Sequence, residues 1–306
     1  MGLKRTLASA LARPVRAYVR HAPTEVLKPL LVRRLLEPSL RRVPRSFDTT
    51  TVDGIRMAGT TSDMIQRYVY VFGVWEPHLT AWMRTRLTRG RTLIDVGANV
   101  GYFSLLGSQL VGPTGRVVAI EALPATFAAL QASIALNGTA NIRAVNVAAT
   151  ATVQTVTLYG GEAHNSGTTS TIAGDGLRQL TSVDGVPLAQ ILQPEEITTA
   201  RVIKIDVEGG ELDVLQGLLP VLGDLPADVE LAVEVSPVRP GEVHASKDGP
   251  LELLAAHGFH PYLITNDYSL VSYTRRRALA PPRRVHGVLP DRVDLIFSRT
   301  DAETLP

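Results

Sequence analysis

From residue 91 onward the chain alternates short apolar runs with amphipathic stretches. Residues 91–96, 116–121 and 141–147 read as strands. Residues 101–111 read as a helix after a tight glycine turn. Pro124 opens a second helix with Phe127, Leu130 and Ile134 on one face, and Asn137-Gly138 closes it. Residues 153–158 alternate like a further short strand, and 160–185, rich in Gly, Ser and Thr, read as an excursion at the sheet edge. Residues 201–206 and 229–235 are buried strands. Leu212, Leu215 and Leu219 form a helical stripe between them that Pro220 ends or kinks. A helix over 250–257 and a terminal strand pair, 260–265 with 292–298, complete the pattern. Repeated strand–helix alternation predicts a mostly parallel sheet covered on both faces.

The first 67 residues follow another rule. Leu3, Leu7 and Leu11, then Leu27, Leu31 and Leu35, keep a four-residue spacing that places each set on one helical stripe. Pro14, Pro23, Pro29, Pro38 and Pro44 predict short helices rather than one rod. Residues 1–46 hold eleven Lys and Arg against Glu25 and Glu37, although the whole chain of 306 residues carries only +2. Packing onto the catalytic body as a cover, a mobile or membrane-surface arm, and contact with an anionic partner are the open readings of this segment. Its arginine-rich, acid-poor composition also resembles a transit peptide. The expected division is a basic extension of short helices over 1–67 and a catalytic domain over 68–306.

A hydrophobic fraction of 45% fills a sizeable core, and the absence of cysteine excludes thiol nucleophiles, disulfides and Cys-based metal centres. Charges interrupt every long apolar run, and the N-terminus lacks the apolar core of a secretory signal, so the expected address is the cytoplasm.

The chemistry gathers at two strand ends. In Leu93-Ile94-Asp95-Val96-Gly97-Ala98-Asn99-Val100-Gly101 an apolar strand runs into an acid, then a glycine turn and a helix start. Asp95 can accept from an ammonium or organise the turn. Glu121, at the end of the next strand, can accept both hydroxyls of a ribose. A dinucleotide cradle wants G-x-G-x-x-G, yet Asn99 and Tyr102 stand at its second and third glycines. S-adenosylmethionine, with an amino acid end, a ribose and no phosphate, suits this frame better than NAD. The second string, Val202-Ile203-Lys204-Ile205-Asp206-Val207-Glu208-Gly209-Gly210-Glu211, again delivers acids beside a glycine turn. Asp206 and Glu208 are the candidate proton acceptors there, and Glu211 reads as a first-turn charge.

Together, Asp95–Tyr102 and Ile203–Gly217 resemble the FkbM-type family of S-adenosylmethionine-dependent methyltransferases, as do Gly73-Val74-Trp75-Glu76-Pro77 and the 231–237 strand. The resemblance implies a class I methyltransferase fold. That is a Rossmann-like three-layer α/β sandwich whose mostly parallel seven-stranded sheet has an antiparallel last strand. It implies Asp95, Gly97, Asn99 and Gly101, with Ala98 of the same turn, around the methionine moiety, Glu121 on the ribose and Asp206 beside the methyl group. Two positions depart from the family pattern: Ala148-Ala149-Thr150-Ala151 lacks an acid near the adenine, and Leu188-Ala189 replaces a Leu-Asp pair.

The expected reaction is methyl transfer to a hydroxyl oxygen, or else a nitrogen, of a small-molecule natural product or glycan, with no nucleic-acid partner. The alternatives are an NAD-dependent oxidoreductase and a non-catalytic adenosyl-ligand binding module. Glu76 is read as either a cofactor-side acid or a helix cap. His164 is read as a solvated loop residue or a base, and Arg275, Arg276, Arg277, Arg283 and Arg284 as a solvated basic loop or a steering patch. His244, His257 and His260 lack ligand spacing, and no further acid cluster accompanies Asp206 and Glu208, so no metal is assigned. A side chain at Gly97 is expected to fill the cofactor's space without unfolding the sheet.

Overall fold

A computed structural model describes residues 2–160, 177–235, 249–266, 268–274, 280–286 and 293–305, with side chains from residue 12 onward. His164, His244 and Arg275–Arg277 lie outside the described residues. The chain forms two compact units divided after Thr80. The boundary expected between residues 67 and 68 falls inside a helix, Met64–Phe72.

The first unit opens with helix α1 (Gly2–His21), followed by α2 (Lys28–Leu31), a π-helical turn (Val32–Leu36) and α3 (Glu37–Arg42). An antiparallel ribbon, β1 (Ser46–Thr50) and β2 (Arg56–Thr60), and helix α4 (Met64–Phe72) complete its first stretch. Asp63 caps α4 by accepting from the Gln66 amide at 2.9 Å. The expectation of short helices fails for α1, which runs 20 residues with Pro14 inside. Pro23, Pro29 and Pro38 do sit between or at the starts of helices.

Tertiary bonds at the C-terminal half of α1 offset what Pro14 costs. The Arg16 guanidinium lies 4.0 Å over the Tyr70 ring and donates to the Tyr70 carbonyl at 2.7 Å. Arg20 donates to the carbonyls of Thr50 and Val69, each at 2.9 Å. Burial, with Arg16 alongside, lowers the Arg20 guanidinium to about 10. A second correction concerns register. Val32, Leu36 and Leu40 form the packed stripe, while Leu27 and Leu35 of the expected stripe are exposed.

The second unit takes up the C-terminal part of helix α5 (Pro77–Arg86) and the central sheet. Its elements are β3 (Thr92–Val96), α6 (Tyr102–Val111), β4 (Arg116–Ile120), α7 (Pro124–Asn137), β5 (Ile142–Val145), β6 (Ala148–Ala149), β7 (Gln154–Gly160), β8 (Arg178–Val186), α8 (Leu188–Ile191), α9 (Pro194–Thr198), β9 (Ala200–Ile205), α10 (Glu211–Leu218), β10 (Glu230–Val235), α11 (Gly249–Ala256) and β11 (His260–Ile264). After α12 (Leu270–Thr274), which belongs to the first unit, come β12 (Arg283–Arg284) and β13 (Val293–Ser298).

The sheet order is β12-β11-β13-β10-β9-β3-β4-β5, and β13 runs against both its neighbours. The seven expected strands are present; the two-residue β12 adds an eighth at the edge. Every residue of β3 and β10 is buried, as a strand covered on both faces requires. Along β4, Val118 and Ile120 join the cluster that holds Val214, Leu218 and Leu254, whereas Ala119 packs with Leu130 of α7. Alternate residues thus serve opposite helical layers. Of the stretch expected as an excursion over 160–185, residues 178–185 belong to β8 of a separate small sheet, β6-β8-β7, and residues 161–176 lie outside the described residues. Pro220 ends α10 as expected, and a 3₁₀ turn, Leu219–Val221, follows. Among the described residues no helix is long and apolar enough to cross a membrane.

Candidate active site

The site residues stand at the carboxyl ends of β4, β3, β9 and β10, four adjacent strands of the second unit. β3 delivers Asp95, fully buried. Ser104, on the first turn of α6, donates to Asp95 Oδ2 at 2.6 Å, and Lys204 Nζ lies 3.6 Å from Asp95 Oδ1. Burial pushes the Asp95 carboxyl above its usual range, and Lys204 opposes that shift.

Lys204 is itself buried on β9. Its ammonium sits 3.1 Å from Asp206 Oδ2, 3.5 Å from the Gly97 carbonyl and 5.5 Å over the Phe103 ring. It joins the turn after β3 to the tip of β9 by charge, although its place inside an apolar strand gave no periodic signal for such a role.

Gly97, at φ 77°, explains how close these turns come. A β-carbon there would lie 1.8 Å from the Asp206 backbone carbonyl oxygen. The expectation that Gly97 guards ligand space is therefore corrected: the neighbour that forbids a side chain is the protein's own backbone. Ala98 and Gly97 donate their amides to the Ile120 carbonyl at 3.0 and 2.9 Å, locking the turn onto β4. Asn99 holds a left-handed φ of 50°, bonds the Val100 amide through Oδ1 at 2.7 Å, and donates its own amide to Glu121 Oε2 at 2.9 Å. Gly101, at φ 92°, starts α6 where a β-carbon would meet Leu130 at 2.7 Å.

Glu121 is buried at the end of β4, and its other oxygen accepts from the Leu123 amide at 2.9 Å. Burial raises its carboxyl to about 7 in spite of those two amides. Asn146, just past β5, donates to the Glu121 and Ala122 carbonyls at 2.8 and 3.0 Å and fixes this corner. Each Glu121 oxygen retains a lone pair for a hydroxyl.

Asp206 and Glu208 are half-buried, and Glu208 has a left-handed φ of 56°. The expectation that no further acid accompanies them does not hold. β10 pairs Val233 with Ile205, which carries Glu234 alongside Asp206. Carboxylate oxygens of Asp206, Glu208 and Glu234 lie within 4.8 Å of one another, a spacing that can hold a divalent cation. The partner was illegible because Glu234 is 26 residues from Glu208 and reads as an interruption of an apolar strand. Glu211 is also buried, accepts from the Gly209 amide at 2.9 Å, and is raised to about 7 by burial. It holds the turn, more than the first-turn charge expected.

Glu76 is buried in the first unit, where it accepts from the Tyr268 hydroxyl at 3.1 Å and its amide donates to the Tyr273 hydroxyl at 3.2 Å. Its carbonyl opens α5 by accepting from the Thr80 amide. Arg284 pairs with Asp301 at 3.3 Å and lies over Tyr262. His257 contacts the Leu253 carbonyl at 2.8 Å and His260 contacts Arg284 at 2.6 Å. Ala148 and Ala149 belong to β6, and Leu188 starts α8 as a core residue. No side-chain carboxylate at either position is available for an adenine.

Strand order, the reversed β13, the glycine turn after β3 and an acid closing β4 give the fold of the class I methyltransferases, the class whose methyl donor is S-adenosylmethionine. A family model described as the methyltransferase FkbM domain matches residues 95–261, more than half of the chain, and the chain belongs to that family.

A curated relative, Methyltransferase 1 of Beauveria bassiana, is 26% identical over 147 residues, 41% of this chain and 57% of that protein. The chain thus matches little more than half of that relative's length. Among solved structures it is similar to methyltransferase FkbM from Methylobacillus flagellatus KT, at 16% identity and TM-score 0.43, over 75% of this chain and 50% of that one. It is also similar to Aeropyrum pernix fibrillarin with natively bound S-adenosyl-L-methionine, at 11% identity and TM-score 0.42, over 73% and 76% of the two chains.

Proposed function

We propose that the second unit transfers a methyl group from S-adenosylmethionine to a hydroxyl oxygen of a small-molecule natural product or glycan. The observation that carries this reading is the joined pair of strand tips. Lys204 ties Asp206 to the Gly97 turn, and Glu121 is fixed one strand away by the Asn99 amide.

The donor supplies a methyl group already activated on a sulfonium, so the protein's work is alignment and proton acceptance. Asp95, Gly97, Ala98, Asn99 and Gly101 form the turn for its amino acid end, and Glu121 accepts the ribose hydroxyls. Asp206, oriented by Lys204, takes the proton that the acceptor hydroxyl releases, with Glu208 beside it as the alternative acceptor. Glu234 adds a third carboxylate, which favours a second reading of how the hydroxyl is activated: a divalent cation held by the three acids lowers its pKa.

The test is S-adenosylhomocysteine formation with a panel of hydroxyl and amine acceptors, before and after dialysis against EDTA. Direct proton acceptance predicts turnover that survives EDTA and falls in Asp206→Asn or Glu208→Gln with donor binding kept. Loss on EDTA and recovery with magnesium would replace it with the metal reading. Donor binding without turnover on any acceptor would indicate a binding module, and methylation of amines alone would contradict the hydroxyl assignment.

A further inference from the structure

The arginines of the N-terminal arm divide by role. Arg16 and Arg20 turn inward to carbonyls of the first unit, and Lys28 is buried with its ammonium on the Ala22 carbonyl at 2.8 Å. Arg33, Arg34, Arg41 and Arg42, on the π-helical turn and α3, are exposed.

Between and beside them in the sequence stand exposed apolar side chains. Val26 is 65% exposed, Leu27 55%, Leu30 43%, Val43 45% and Leu35 36%. These are five of the ten large hydrophobic residues exposed among the described residues, gathered into 18 positions. Leu27 also holds a left-handed φ of 64°, an unfavourable geometry for a leucine at an exposed corner. α12, which packs beside α2, exposes Val271 as well. The stretch 26–45 contains six basic residues and one acid, Glu37, which turns towards Arg67 at 3.9 Å.

We propose that this face, α2 through α3, seats the protein on an anionic lipid bilayer surface. Exposed aliphatic side chains are costly in water and gain by entering the acyl boundary, while arginines beside them meet the lipid phosphates. The pairing of both features selects lipid over nucleic acid. A phosphate backbone would use the four arginines and leave the leucines in water. Val32, Leu36 and Leu40 of the same segments are fully buried, which leaves the exposed side chains as the contact surface.

Co-sedimentation of the full chain with phosphatidylcholine vesicles, with and without phosphatidylglycerol, tests this. The expected result is binding to the anionic vesicles alone, weakening as salt rises. Arg33→Gln with Arg34→Gln should weaken it about thirtyfold, at roughly a factor of five per arginine near the surface. Arg41→Gln with Arg42→Gln provides an independent pair if the first melts early by circular dichroism. Leu27→Ser with Leu30→Ser should weaken binding while keeping its salt dependence. Equal binding to neutral vesicles, no binding to anionic ones, or indifference to both arginine pairs would overturn the proposal. So would duplex DNA that displaces the protein from vesicles and binds the Leu27→Ser, Leu30→Ser variant undiminished.

Discussion

At the scale of single residues, the site is held by close approach and buried charge. Gly97→Ala places a methyl group against the Asp206 carbonyl in a left-handed backbone. It should destabilise the protein by at least about 2 kcal/mol, read as a lower melting temperature with or without ligand. Lys204→Met leaves Asp95, fully buried, and Asp206 without their shared cation. The expected cost is about 3–5 kcal/mol, with partial recovery in Lys204→Arg, measured by denaturant unfolding.

Glu121 gives the pH signature. Its folded pKa, about 7, lies above the ordinary 4.5, so the folded state binds the extra proton between those values. Its contribution to stability therefore declines as pH rises from 4.5 to 7 and is level above. Ribose binding by the carboxylate runs the other way. Affinity for S-adenosylhomocysteine should climb as pH approaches and passes 7. Glu121→Gln should flatten that profile by calorimetry and make the melting profile shallower, Glu211, likewise raised to about 7, keeping the remaining slope.

At the scale of elements, α1 persists through Pro14 because two guanidiniums stitch its last turns to β1 and α4. Arg20→Met removes donors to Thr50 and Val69 and should lower the melting temperature measurably, with the lost bonds worth about 1 kcal/mol or more each. This is also where sequence reading had its limits. Strand–helix alternation over 91–298 was legible because the strands are bounded by turn residues and the central ones, β3 and β10, are buried along their whole length. The arm was not. A four-residue spacing marks Leu27, Leu31 and Leu35 as well as Val32, Leu36 and Leu40, and only packing through a π-helical turn decides which stripe goes inside. In the site, Asp95, Glu121 and Asp206 were readable as acids at strand ends. Lys204 and Glu234 were not, because their roles come from register between β3, β9 and β10, set by residues far apart in the chain.

At the scale of the whole molecule, charge is organised at both ends of the sheet. Opposite the site, Glu230 at the start of β10 receives Arg86 at 2.7 Å, both buried, with Arg201 at 3.6 Å. Nearby, Asp228 is exposed and takes two bonds from Arg91, which lower its carboxyl. Glu230→Ala strands a buried guanidinium and should cost about 3–5 kcal/mol, whereas Asp228→Ala should stay within about 1 kcal/mol. Denaturant unfolding of the two variants side by side checks that contrast.

In the proposed function, the turn after β3 and the acid closing β4 bind the adenosyl methyl donor. Titration calorimetry of the full chain with S-adenosylhomocysteine, beside NADH and beside the Glu121→Gln variant, tests it most directly. The expected result is saturable binding of S-adenosylhomocysteine, weakened in Glu121→Gln by about tenfold or more, and none of NADH. Saturable binding of NADH with no heat from S-adenosylhomocysteine would contradict it.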